Sequence, residues 1–72
     1  MDNNDFYLME KYIPKEHWKN LMFMGWSNGI VLYKHSMTRM YINVDVEGNF
    51  YQYNGRNYYK IEREYALGYV IS

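Results

Sequence analysis

The sequence predicts an α+β domain: one or two N-terminal helices packed on an antiparallel β-meander of three to five strands. Three observations carry that expectation. Up to about residue 24, apolar residues recur at three- and four-residue steps, the spacing of a helix face. From residue 29 the period falls to two, the spacing of a half-buried strand. Asn54-Gly55 then sits between two such runs, and this pair is a strong hairpin signal because a type I′ turn needs positive φ at both central positions.

The elements follow in order. DFYLMEKYI (5–13) reads as a short helix capped by Asp5, with Phe6, Met9 and Ile13 on one face and Tyr12 beside them. Pro14 ends it and opens a second helix, PKEHWKNLMFM, since proline has no N–H to lose at a first helical position. Trp18, Leu21 and Met22 form its core-facing stripe, and Gly25 is its stop. After the turn WSNG come the strands GIVLYKH (29–35) and RMYINVDV (39–46), then FYQY (50–53) and RNYYKI (56–61). The tail reads as a fifth strand, YALGYVIS, in preference to a short helix ended by Gly68. Residues 1–72 thus form a single small domain, helical over 1–25 and sheet over 29–72.

Turn lengths set which side chains share a face. A two-residue turn at Asn54-Gly55 pairs Tyr51 with Tyr58 and Phe50 with Tyr59. A two-residue turn at Glu47-Gly48 pairs Val44 with Tyr51. One face then carries Met40, Ile42, Val44, Tyr51, Tyr53 and Tyr58 and receives the helix stripe. The other carries Tyr41, Asn43, Asp45, Phe50, Gln52, Tyr59 and Ile61, with nothing obvious to cover it except the N-terminal segment.

Composition narrows the function. Ten of the hydrophobic residues are tyrosines, whose hydroxyls need water or a partner, so the interior is smaller than the hydrophobic fraction suggests. Without cysteine there is no disulfide or thiolate metal site to support so small a core, and this fits a reducing cytosol. The acidic start MDNND, with no apolar run after it, is unlike a leader peptide. No stretch reaches the ~20 residues of a membrane span, so a cytoplasmic protein making no membrane contact is expected. Abundant Asn, Tyr and Met beside one alanine and one proline suggest an AT-rich genome, such as a low-GC bacterium or its phage.

Catalytic patterns are missing. His17 and His35 have no ligand at metal spacing, His35-Ser36 lacks a triad pattern, and each glycine is explained by a turn or a cap. Asp45 with Glu47, and Glu62 with Glu64, read as solvated turn charges before they read as acid–base pairs. No enzyme, cofactor or metal is expected. The favoured function is protein binding, with another protein or a second copy docking around Tyr41, Phe50 and Tyr59 and with Arg39 as a charged rim. A phage protein that inhibits or modulates a host protein is its concrete form. The runner-up is single-stranded nucleic acid stacked on tyrosines beside Arg39, Arg56 and Lys60. Eight basic against eight acidic residues weigh against it, although residues 14–44 alone sum to +3, from Lys15, Lys19, Lys34 and Arg39 against Glu16.

The run GNFYQYNG resembles the Gly-x-x-Tyr-x-Tyr hairpin of the KTSC domain, a small module of some lysyl-tRNA synthetases. The likeness covers about the second half of the chain, and no residue role or activity is carried over from it.

Overall fold

The computed structural model describes residues 5–71. Five antiparallel strands, β1 (Leu21–Ser27), β2 (Ile30–His35), β3 (Tyr41–Asp45), β4 (Phe50–Tyr53) and β5 (Tyr58–Ile61), form one sheet in sequence order. Helix α1 (Tyr7–Tyr12) and a 3₁₀ helix (Lys15–Asn20) precede them, and helix α2 (Arg63–Ile71) follows. The α+β class and the meander stand as expected.

The second N-terminal helix does not. Its first half is the 3₁₀ helix, and its second half is β1. From Leu21 burial alternates residue by residue, so Leu21 goes inside while Met22 faces water, and no helical stripe exists. A 3.6-residue stripe and a period-two run coincide over so few residues, and pairing with β2 decides for the strand. Gly25 is not a helix stop: with φ at +123° it sits where the β1–β2 register slips, a bulge in the ladder. Trp18 instead closes the first turn of chain, its indole Nε1 donating to the Ile13 carbonyl at 2.7 Å.

Helix α1 begins later than expected, at Tyr7, with Phe6 as its cap and no capping bond from the Asp5 side chain. Leu8, Met9 and Ile13 of this segment are buried. The tail is the helix α2 and not a fifth strand. Ala66 and Val70, four residues apart, face the core, and Gly68 lies inside the helix. Ser72, the end of the expected strand, lies outside the described residues, as do residues 1–4 of the acidic head.

Both helices pack on the same side of the sheet, against Val31, Tyr33, Ile42, Val44 and Phe50. Tyr33 ties the layers together: its hydroxyl accepts from the Met9 N–H (3.2 Å) and donates to the Asp5 carbonyl (2.9 Å). Each fully buried apolar side chain of this size contributes about 1.5–3 kcal/mol, so this single layer carries most of the stability.

The register differs from the expected one at two turns. Asp45 pairs with Asn49 through the Asp45 N–H and the Asn49 carbonyl (3.0 Å), enclosing Val46, Glu47 and Gly48. An odd loop reverses the parity, and Val44 stands opposite Phe50, not Tyr51. The β4–β5 loop spans Asn54–Asn57, setting Tyr53 opposite Tyr58 and Tyr51 opposite Lys60. Two extra residues preserve parity there. Phe50, Gln52, Tyr59 and Ile61 therefore join Ile42 and Val44 on the helix side. Tyr51, Tyr53, Tyr58 and Lys60 join Tyr41, Asn43 and Asp45 on the side that no helix among the described residues covers.

Candidate functional site

The uncovered side, here the open face, gathers its side chains from every strand. β2 contributes Leu32 and Lys34, β3 Tyr41 and Asn43, β4 Tyr51 and Tyr53, and β5 Tyr58 and Lys60. Tyr41 and Tyr53 are exposed, at 41% and 52%. Tyr53 and Tyr58, being cross-strand partners, stack with ring centroids 4.8 Å apart at a 41° tilt. They make a ridge, and a groove runs on each side of it.

The first groove, about 450 Å³, opens where β3 and β4 part. Their ladder holds only Asn43 with Tyr51 and Val44 with Phe50, so the chain at Tyr41–Ile42 and at Gln52–Tyr53 is unpaired between these strands. Tyr41, Asn43, Arg39 and the ridge line it, and Tyr69 of α2 reaches it from the helix side. The second groove, about 510 Å³, lies between the β1–β2 turn and the β4–β5 turn, lined by Ser27, Asn28, Tyr51, Arg56 and the ridge. Those turns lie at diagonally opposite corners of the sheet, so sheet twist makes the face concave along that diagonal.

The charges on this face are one-sided. Lys34, Arg39, Arg56 and Lys60 stand against Asp45 alone among the side chains that the strands direct here or that line the grooves. Lys34, Arg39 and Arg56 share the end that carries the ridge, and the Lys34 ammonium lies 5.8 Å from the Tyr41 ring centroid. Asp45, at the far end, is committed to its turn. Its carboxylate accepts from the backbone N–H groups of Glu47 and Asn49, from the Asn49 amide and from the Tyr51 hydroxyl (2.8 Å). Partial burial pushes its carboxyl up, but those hydrogen bonds outweigh burial and hold it below the usual carboxylate range. The same bond to Asp45, then burial and the neighbouring negative charges, push the Tyr51 phenol up.

The turn that carries Arg39 is fixed by His35, which is buried. Its Nδ1 accepts from the Met37 and Thr38 N–H groups, both at 3.2 Å. Arg39 itself has φ at +66°, and its N–H donates to the His35 carbonyl (2.8 Å). Asn43 is 3% exposed; its amide Nδ2 donates to the Tyr51 carbonyl at 3.2 Å, while its Oδ1 has no hydrogen-bond partner.

The four residues singled out from the sequence are not one patch. Tyr41 and Arg39 do meet, at the first groove. Phe50 is 1% exposed, in the core between the helices and the sheet. Tyr59 is exposed, but on the helix side at the sheet edge, where its hydroxyl donates to Gln52 Oε1 (3.1 Å). Sequence reasoning misses Tyr53 and Tyr58, which it places on the helix side, and Asn43, to which it gives no role. One signal was there: Asp45-Val46-Glu47-Gly48 puts aspartate first and glycine fourth, the composition of a type I turn run into a three-residue loop.

Among the described residues, no group of three or more His, Cys, Asp or Glu side chains could hold a metal ion, and no helix is long and apolar enough to cross a membrane. The His17 imidazole lies 3.4 Å from the carboxylate of its neighbour Glu16. Compared with known proteins, the chain matches no family model, no curated protein and no solved structure.

Proposed function

We propose that this protein is a non-catalytic domain that binds single-stranded nucleic acid on its open sheet face. One observation carries the reading: Tyr41, Tyr53 and Tyr58 share one uncovered face with the cations Lys34, Arg39, Arg56 and Lys60. Single strands are held by such a combination, because aromatic rings stack on any base while Lys and Arg follow the phosphates. Chain-wide neutrality, which weighs against nucleic acid at the level of composition, hides a local excess, four cations to one hydrogen-bonded carboxylate. That same excess opposes pairing of two copies through this face, which would bring like charges together.

The test is anisotropy of a labelled oligonucleotide at low salt, followed by a salt titration. Tyr53→Ala and Tyr58→Ala should each weaken binding by about 1–3 kcal/mol, the worth of one stacked base. Tyr59→Ala, on the opposite side, should leave affinity unchanged. Absence of binding at 20 mM salt would reject the reading.

A second reading has its own support. Met22 and Met24 are exposed along β1, and a surface of Met, Tyr and Arg is also the composition of a protein interface. A protein with an acidic surface, in its concrete form a host protein modulated by a phage product, is the partner that reading requires. It predicts an affinity that depends on Met22 and Met24 and no response to oligonucleotides.

A further inference from the structure

We infer that a single strand crosses the Tyr53–Tyr58 ridge with one nucleotide in each groove, and that the base in the Arg39 groove donates a hydrogen bond to Asn43 Oδ1. The inference rests on the nucleic-acid reading above and specifies how the strand lies and which bases it favours.

The two grooves share their dividing wall and repeat the same pairing of parts. Tyr53 and Tyr58 line both. Each groove has one arginine, Arg39 in the first and Arg56 in the second. Among the described residues neither guanidinium has a carboxylate partner, so both are free to take a phosphate. Volumes of about 450 and 510 Å³ lie in the range that encloses a small ligand, and each suits a nucleotide better than a longer segment. The arrangement is two ring-and-guanidinium seats side by side, and a polymer with one base and one phosphate per repeat matches it.

The first seat also has a direction. Buried polar atoms are almost always paired, and an orphan acceptor is destabilising until a donor meets it. Asn43 cannot turn its amide to solve this, because Nδ2 is already donating to the Tyr51 carbonyl in the β3–β4 ladder. Oδ1 therefore offers acceptance only. It is shut off from water in the unliganded form, so a donor reaches it when a ring lining the groove swings aside, a motion open to exposed side chains on fast timescales. Bases with an exocyclic amine supply that donor. Thymine presents its single N–H between two carbonyl oxygens, which Oδ1 would repel.

The experiment compares labelled dC6 with dT6, two pyrimidines of similar stacking, by anisotropy at 50 mM salt. One added hydrogen bond corresponds to a preference for dC6 of roughly 2- to 12-fold. A dC6 oligonucleotide built from N4,N4-dimethylcytosine lacks the donor and should fall to the dT6 level; this arm leaves the protein untouched. Asn43→Ser should erase the preference in a folded variant. The strand crossing is read separately. The dinucleotide d(pCpC) should bind at least ~10-fold tighter than dCMP, since the second seat adds one base and one phosphate. Arg39→Ala and Arg56→Ala should each lower the slope of log affinity on log salt by about 0.7. Equal binding of dC6, dT6 and the dimethyl oligonucleotide would overturn the role of Asn43 while leaving the open face as the binding surface. Equal binding of dCMP and d(pCpC) would overturn the crossing. Failure of every oligonucleotide to bind would overturn the proposed function itself.

Discussion

Replacing Tyr33 by phenylalanine removes one oxygen and tests how α1 is held to the sheet. The Tyr33 ring is fully buried, and its hydroxyl hydrogen-bonds β2 to the Asp5–Met9 segment. Tyr33→Phe keeps the ring and its stacking on Phe6, but strands the buried Met9 N–H; the Asp5 carbonyl, on an exposed residue, can turn to water. An unsatisfied buried donor costs about 1–3 kcal/mol, so a loss of about 2 kcal/mol is expected at neutral pH. In a domain of this size that lowers Tm by roughly 8–16 °C.

The phenol adds a second, independent readout. Burial, partly offset by the hydrogen bond with Met9, pushes its pKa up from 10.0 to about 12. Because the folded value lies above the unfolded one, folding favours the protonated phenol. That contribution is complete below pH 10 and is lost as pH rises from 10.0 through about 12. At pH 11 the loss amounts to roughly 1.4 kcal/mol, since the unfolded phenol is then mostly ionised and the folded one is not. Urea unfolding at pH 8 and pH 11 therefore checks the argument: the gap between wild type and Tyr33→Phe should shrink by about that amount at the higher pH. A gap that stays constant would refute the buried-phenol reasoning, whatever its size at pH 8.

The remaining predictions concern turns and the core. Asp45→Asn should flatten the acid limb of stability: the depressed carboxyl stabilises the fold fully above pH 3.8, and this is lost as pH falls through its lower folded value. Urea titrations of both proteins between pH 2 and pH 6 read it directly. Gly48→Ala should cost about 2 kcal/mol or more in thermal unfolding, because a Cβ there would sit 2.6 Å from Cε1 of Tyr12 at a φ of +89°. Gly55→Ala, at φ +99° with open space around it, should cost only about 1–2 kcal/mol for the strained backbone. Phe50→Leu should lower stability while leaving oligonucleotide affinity unchanged, whereas Phe50→Ala, a core truncation costing about 3–5 kcal/mol, should leave little folded protein by circular dichroism.

Much of the fold was legible because the signals were local. The alternation of Met40, Ile42 and Val44, and the glycine turns, mark strands wherever the rest of the chain goes. Residues 18–24 are ambiguous because Leu21 and Phe23 satisfy a strand and Trp18, Leu21 and Met22 satisfy a helix; pairing with Tyr33 and His35 across the ladder separates the two. The tail failed in the opposite sense. YALGYVI is rich in strand formers, yet Ala66 and Val70 find the gap beside Phe50 only at a four-residue spacing.

The site was harder to read than the fold, and for one reason. A strand can be recognised from its own residues, but the side to which it points depends on the number of residues in the turn before it. Asp45 makes the difference: its carboxylate holds the Glu47 and Asn49 N–H groups, stabilising a loop of three residues where the sequence suggests two. That single added residue carries Phe50 inward and brings Tyr51, Tyr53, Tyr58 and Lys60 out beside Tyr41. Both assignments put aromatics on both faces, so composition could not choose between them. The turn explains why the tyrosines of β4 and β5 and the cations of two distant turns share one surface. It follows that Asp45, which touches no ligand in the proposed complex, governs the binding face through geometry: shortening its loop by one residue would turn the aromatic ridge toward the helices and abolish the surface.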